Sequence, residues 1–154
     1  MGMIYSASFS AAITAQQDLF EITVASTVAV VLHQIILSQS TELTDAQDEG
    51  LRLVIKRGMT TSGSGGTTPT PTTLMSRFAA AASTVEANNT TKSSAGTIVT
   101  LHQETWNIRS AFIWLPTPEL RYELGPSQRL AVELATTPTD SITVDGIMYF
   151  EEIG

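Results

Sequence analysis

Short stretches in which every second residue is apolar recur along this chain, and that period of two constrains the fold more than any other feature. Phe20, Ile22 and Val24 alternate with Glu21 and Thr23. Leu51, Leu53 and Ile55 alternate with Arg52, Val54 and Lys56, and Leu130, Val132 and Leu134 follow the same rule between Arg129 and Glu133. A weaker alternation runs through Tyr5, Ala7, Phe9 and Ala11. Successive side chains of an extended backbone point to opposite faces, so these stretches read as strands with one apolar and one wet face. The pattern predicts about eight strands, near 3–13, 18–25, 27–39, 50–58, 97–108, 110–116, 128–135 and 141–152. Gly50, Gly58, Gly125-Pro126 and Pro138 punctuate them, and Asp145-Gly146 reads as a turn or a bulge inside the last strand. Many short strands within one domain's length predict an all-β fold: a single antiparallel β-sandwich of jelly-roll type spanning 1–154.

Three segments break the alternation. Residues 28–37 are apolar at both parities, with Val28, Val30, Leu32 and Ile36 on one side and Val31, Ile35 and Leu37 on the other. Residues 112–115 and 147–150 do the same. A strand apolar on both faces needs cover on both. In a two-layer sandwich the second cover is a loop or another subunit. The pattern therefore predicts an oligomer whose interface draws on Val31, Ile35, Leu37, Phe112, Trp114 and Tyr149.

The middle of the chain differs. Residues 60–73 read TTSGSGGTTPTPTT, a flexible loop passing into an extended Pro-Thr piece. Residues 74–83 (LMSRFAAAAS) suit a short helix or a packed extended segment, and 88–96 are polar again. A long insert within the sandwich is expected around 60–96. Inserts of that length are commonly functional, so Thr68, Pro69, Pro71, Leu74, Phe78 and Asn88 are candidate partner contacts.

Charge and chemistry narrow the function. The net charge of −7 argues against nucleic-acid binding and against docking on an anionic membrane, both of which use basic patches. The longest apolar run is too short to cross a bilayer, which takes about 20 residues. No basic leader precedes it, so the chain is expected to begin at Met1 and remain soluble. Absence of cysteine removes disulfides and thiol catalysis. Residues 45–50 (DAQDEG), at the end of the acidic stretch 42–49, resemble the start of a calcium loop, but Lys56 stands where a bidentate Glu is needed. Gly58 and Gly63 have P-loop spacing, but Ser64 stands in place of the lysine. His33 and His102 are too few for a histidine metal site and read as strand residues. Glu151 and Glu152 are adjacent and must point to opposite faces. Trp106 and Trp114 suit core or interface anchors better than a sugar platform. No enzyme activity and no cofactor are expected.

Residues 120–134 (LRYELGPSQRLAVEL) followed by 141–154 (SITVDGIMYFEEIG) resemble the closing hairpin of trimeric jelly rolls, such as tumour necrosis factor and complement-type globular heads. The opening YSASFSAAITA suits the same strand order. More specifically, the chain resembles capsid decoration (cement) proteins of tailed bacteriophages. That resemblance implies a homotrimer bound to the major capsid protein at the virion surface, assembled in the host cytoplasm. It also implies that the insert residues named above are capsid contacts. A tail or fibre-tip jelly roll that binds a receptor or carbohydrate is the alternative it leaves open.

Overall fold

A computed structural model describes residues 2–41 and 48–154. Most of the acidic stretch weighed for calcium lies outside the described residues. Of its described members, Asp48 pairs with Arg109 at 2.6 Å, and Glu49 accepts hydrogen bonds from the Thr139 backbone N–H and hydroxyl.

The described residues form eleven strands and no α-helix: β1 (Met3–Ile13), β2 (Gln17–Thr23), β3 (Ala29–Gln39), β4 (Gly50–Arg57), β5 (Thr72–Thr73), β6 (Thr84–Asn89), β7 (Val99–Asn107), β8 (Phe112–Trp114), β9 (Tyr122–Leu124), β10 (Arg129–Leu134) and β11 (Ile142–Ile153). Two antiparallel sheets pack as a sandwich. The first runs β5-β1-β11-β3-β8, with β9 also on β3, and the second runs β6-β2-β10-β4-β7. Setting aside β5 and β6, and counting β8 and β9 as one interrupted strand, the chain order becomes 1-8-3-6 and 2-7-4-5. That is jelly-roll connectivity, with successive strands passing from one sheet to the other except at the β4-β7 pair.

The core lies between the sheets and holds the alternating residues that the sequence singled out. Tyr5, Phe20, Ile22, Leu51, Leu53, Ile55, Leu130, Val132 and Leu134 are all fully buried. One aromatic pair joins the layers, Phe9 meeting Phe20 edge-on at 4.9 Å, while within the first sheet Tyr5 stacks on Phe150 at 5.5 Å and Trp114 on Tyr122 at 4.9 Å. Asp145-Gly146 is neither a turn nor a bulge, because β11 pairs with β1 in unbroken register through it. Gly146 faces Phe9 across the ladder, and a Cβ there would collide with the Phe9 ring. The Gly125-Pro126 corner closes no hairpin. It carries the chain from β9 in the first sheet to β10 in the second.

The double apolarity of 28–37 has a local cause. Leu32 pairs with Phe150 and Gln34 with Tyr149, which leaves His33 as an extra residue in β3. This β-bulge reverses the parity of everything after it. Val30 and Leu32 point inward before the bulge, and Ile35 and Leu37 point inward after it. Ile35 and Leu37 are therefore core residues of a single chain, not surface residues. Phe112 (4% exposed) and Trp114 (7%) also point inward. Their expected place at an oligomer interface is corrected by this geometry. Val31 and Tyr149 are half-buried on the outer face.

The insert is also not a free arm. It leaves β4 and returns to β7 through a neck at Gly58 and Gly96, whose φ angles of +90° and +75° suit glycine. Its two limbs bridge each other at Thr61 with Ser94 and at Ser64 with Thr91. Farther out, β6 joins β2 in the second sheet and β5 joins β1 in the first. Residues 74–83 cross between the sheets as an extended strap rather than a helix, with a single turn from Phe78 back to Met75.

Candidate functional site

The outer faces of the two sheets offer different surfaces. On the second sheet, the residues read as a wet face are largely covered. Phe20 and Ile22 point inward, so Glu21 points outward, yet it is 1% exposed. Asp18 (0%) and Lys56 (6%) are buried beside it. The insert supplies the cover, and carboxylates hold it down. Glu21 accepts hydrogen bonds from the Gly63 N–H and the Ser62 hydroxyl, both at 2.9 Å, and pairs with Arg129 at 2.8 Å. Asp18 accepts from the Ser93 N–H at 2.7 Å and the Ser93 hydroxyl at 2.6 Å. Glu133 bridges Lys56 and Lys92, each at 2.7 Å, and Lys56 lies 3.5 Å from Asp18. Burial alone would push the Glu133 carboxyl up. Its hydrogen bonds to the two lysines, and their charges, outweigh that and hold it below the usual carboxylate range.

A third buried carboxylate fastens the strap. Glu152 accepts from the Ser83 N–H at 2.7 Å and the Ala82 N–H at 3.1 Å. Nearby, the Tyr5 hydroxyl donates to the Ala79 carbonyl at 3.1 Å, and burial followed by the Glu152 charge pushes that phenol up. Glu151, the neighbour of Glu152, points the other way and meets His33 at 2.9 Å and the Gly2 N–H at 2.6 Å. All of these carboxylates are occupied by structural partners. Groups of three or more His, Asp or Glu side chains able to hold a metal are absent among the described residues.

The outer face of the first sheet has no such cover. Its register aligns Ser8 with Ile147, Ile147 with Ile36, and Ile36 with Ile113. Ile113 is 58% exposed, and beyond it Leu115 and Leu120 are 64% and 66% exposed. The next row sets Ser6 beside Tyr149 and Tyr149 beside Gln34. The result is an apolar band crossing the sheet, rimmed by Ser10, Ser38 and Asp145. Contiguous exposed apolar surface of this kind marks interaction sites more often than chance.

Of the sequence-predicted interface residues, only Val31 and Tyr149 lie on this face. The band's own members Ile36, Ile113, Leu115 and Ile147 were legible as the opposite parity of the same segments, once the bulge is known. The insert candidates scatter. Thr68 and Leu74 are exposed, and Pro69, Pro71, Phe78 and Asn88 are half-buried. Leu74 and Phe78 join Gly2, Ile4 and Met75 around a small apolar cleft of about 150 Å³. Asn88 instead takes a hydrogen bond from Gln17 on its side-chain oxygen. Trp106 (2% exposed) is a core residue, its indole N–H donating to the Ser110 carbonyl at 2.6 Å. With Trp114 also buried, the two tryptophans form no exposed platform.

No family model matches the chain, and no curated protein matches it. Among solved structures the chain is similar to one in the structure of infectious bursal disease virus, Gx strain, at 17% identity and a TM-score of 0.20. That alignment covers 99% of this chain and 42% of the other, so the chain spans less than half the length of the viral one. A TM-score of that size carries no argument about fold or function.

Proposed function

We propose that this chain is a structural virion protein, a homotrimeric decoration protein that binds the major capsid protein of a tailed bacteriophage at its outer surface. The observation that carries the reading is the apolar band Ile147, Ile36, Ile113 and Leu115 on a jelly roll whose other broad face is covered over β2 and β10 by its own insert. A body with one partly covered, charged face and one apolar face suits association through the apolar face. Closed three-fold pairing would bury the band without leaving a surface for open-ended growth. The exposed stretches of the insert, Thr68 and Leu74 among them, are the proposed capsid contacts.

Copy number in purified particles tests the virion reading. Copies in proportion to the major capsid protein are expected, and absence from particles overturns it. Sedimentation equilibrium tests the trimer separately. Replacing Ile113 and Leu115 together with Asp should yield folded monomers. A wild-type protein that is monomeric at high concentration, or a variant that stays trimeric, removes the band from the interface.

A further inference from the structure

One edge of the first sheet is open along half its length. β5 pairs with β1 only at Tyr5 and Ser6. The Leu74 N–H donates to the Ile4 carbonyl at 3.1 Å, so the backbone groups of even-numbered residues in β1 point toward that edge. By alternation the N–H and C=O of Ser8, Ser10 and Ala12 point the same way. No strand among the described residues pairs with them there. The insert does not continue this pairing, since Thr67 pairs with Ala87 beside the other sheet and Pro69 and Pro71 between there and β5 lack the N–H a ladder needs.

Two further observations bear on the open stretch. The inward side chains of β1 are covered where the strap passes, with Tyr5 at 0% and Ala7 at 2% exposed. Beside the open edge, Phe9 and Ala11 also point inward but are only half-buried. In addition, a groove of about 380 Å³ runs along the edge, floored by Ser8, Ser10 and Ala12 and walled by Gly66, Thr67 and Thr90, with no titratable side chain in its lining. Open edges are ordinarily blunted by charge, proline or a bulge. Residues 7–13 contain no charge and no proline, and their register with β11 is unbroken.

We infer that this edge accepts an extended strand from a partner protein, uncharged and alternating small hydroxyl with small apolar residues. Such a strand would continue the line of Thr72-Thr73, satisfy the backbone of Ser8, Ser10 and Ala12, and complete the cover of Phe9 and Ala11. Gly66, Thr67 and Thr90 flank the groove beside this edge, which favours a lone strand over the edge of a second sandwich. The site uses the free backbone edge of β1, which adjoins the end of the apolar band at Ser8, and its edge N–H and C=O groups are not part of the proposed trimer contact.

The test uses the whole protein and a capped octapeptide alternating threonine with valine, carried on a polyethylene glycol tail for solubility. Saturating peptide should slow amide hydrogen exchange at Ser8, Ser10 and Ala12 by at least about tenfold. Ser10→Pro, which removes an edge N–H without touching the β11 ladder, should abolish binding, while Ser10→Ala keeps it. If the proline variant fails to fold, Ala12→Lys, outside the apolar band, serves as the edge-blocking variant. No slowing at these amides, equal binding by the blocked variant, or slowing that rises with protein concentration alone each overturns the inference, the last by placing a second copy on the edge.

Discussion

The outer faces of the two sheets are built from similar alternating strands, yet the insert covers much of one and leaves the other without cover among the described residues. On the second sheet the outward residues are Asp18, Glu21, Lys56 and Glu133, and the chain's own insert covers them. On the first sheet the outward residues are Ile36, Ile113, Ile147 and Tyr149, and nothing among the described residues covers them. The charged face is the covered one. Carboxylates can accept several N–H groups from an irregular segment, so they fix a glycine- and serine-rich loop that has little apolar surface of its own. An apolar face has no such hold on a polar loop and stays available for an apolar partner.

Breaking the covered face should cost most. Glu21→Ala removes the carboxylate that pairs with Arg129 and takes the Gly63 N–H under the insert, and truncating one partner of a buried pair typically costs about 3–5 kcal/mol. The matched change on the bare face, Asp145→Ala, should stay within about 0.5 kcal/mol. Chemical denaturation of the two variants reads the difference, and equal losses would dissolve the distinction between the faces.

The bulge in β3 sharpens it next. Ile35→Ala should lose about 2–5 kcal/mol as a core truncation, whereas Ile36→Ala, one residue on but outward, should lose well under half of that. A reversed order would return Ile35 to the surface and remove the bulge from the account.

Acid offers a third, smaller handle. The Glu133 carboxyl is held below its ordinary range in the folded protein, so its contribution is fully present above the unfolded carboxylate range. That contribution fades as pH falls through the lower folded value. Lys92→Met removes one of the two lysines responsible, so the loss of stability on acidification should become shallower. Denaturation midpoints measured across the acid range for both proteins check the sign. An unchanged slope would show that Lys56 alone sets it.

The least effect on stability is expected at the band itself. Ile113→Ser should change the unfolding free energy of the separated chain by no more than about 0.5 kcal/mol while weakening self-association. Sedimentation and thermal unfolding on the same samples separate the two.

Much of the sandwich was legible because a period of two is a direct consequence of strand geometry. The alternations at 20–24, 51–55 and 130–134 became β2, β4 and β10 with their apolar residues in the core. What escaped was everything that depends on a partner distant in sequence. The extra residue at His33 has meaning only against β11, and without it Ile35 and Leu37 fall on the wrong face. The burial of Glu21 depends on Gly63, 42 residues away, so alternation alone made it a solvated residue. The polar limbs of the insert, 60–73 and 88–96, showed no strand periodicity and little apolar content, and their path was decided by carboxylates on strands they do not adjoin in sequence. Local pattern determined which residues extend and which side chains share a face. The tertiary structure alone decided which face meets solvent, because cover is supplied by whatever the fold brings alongside.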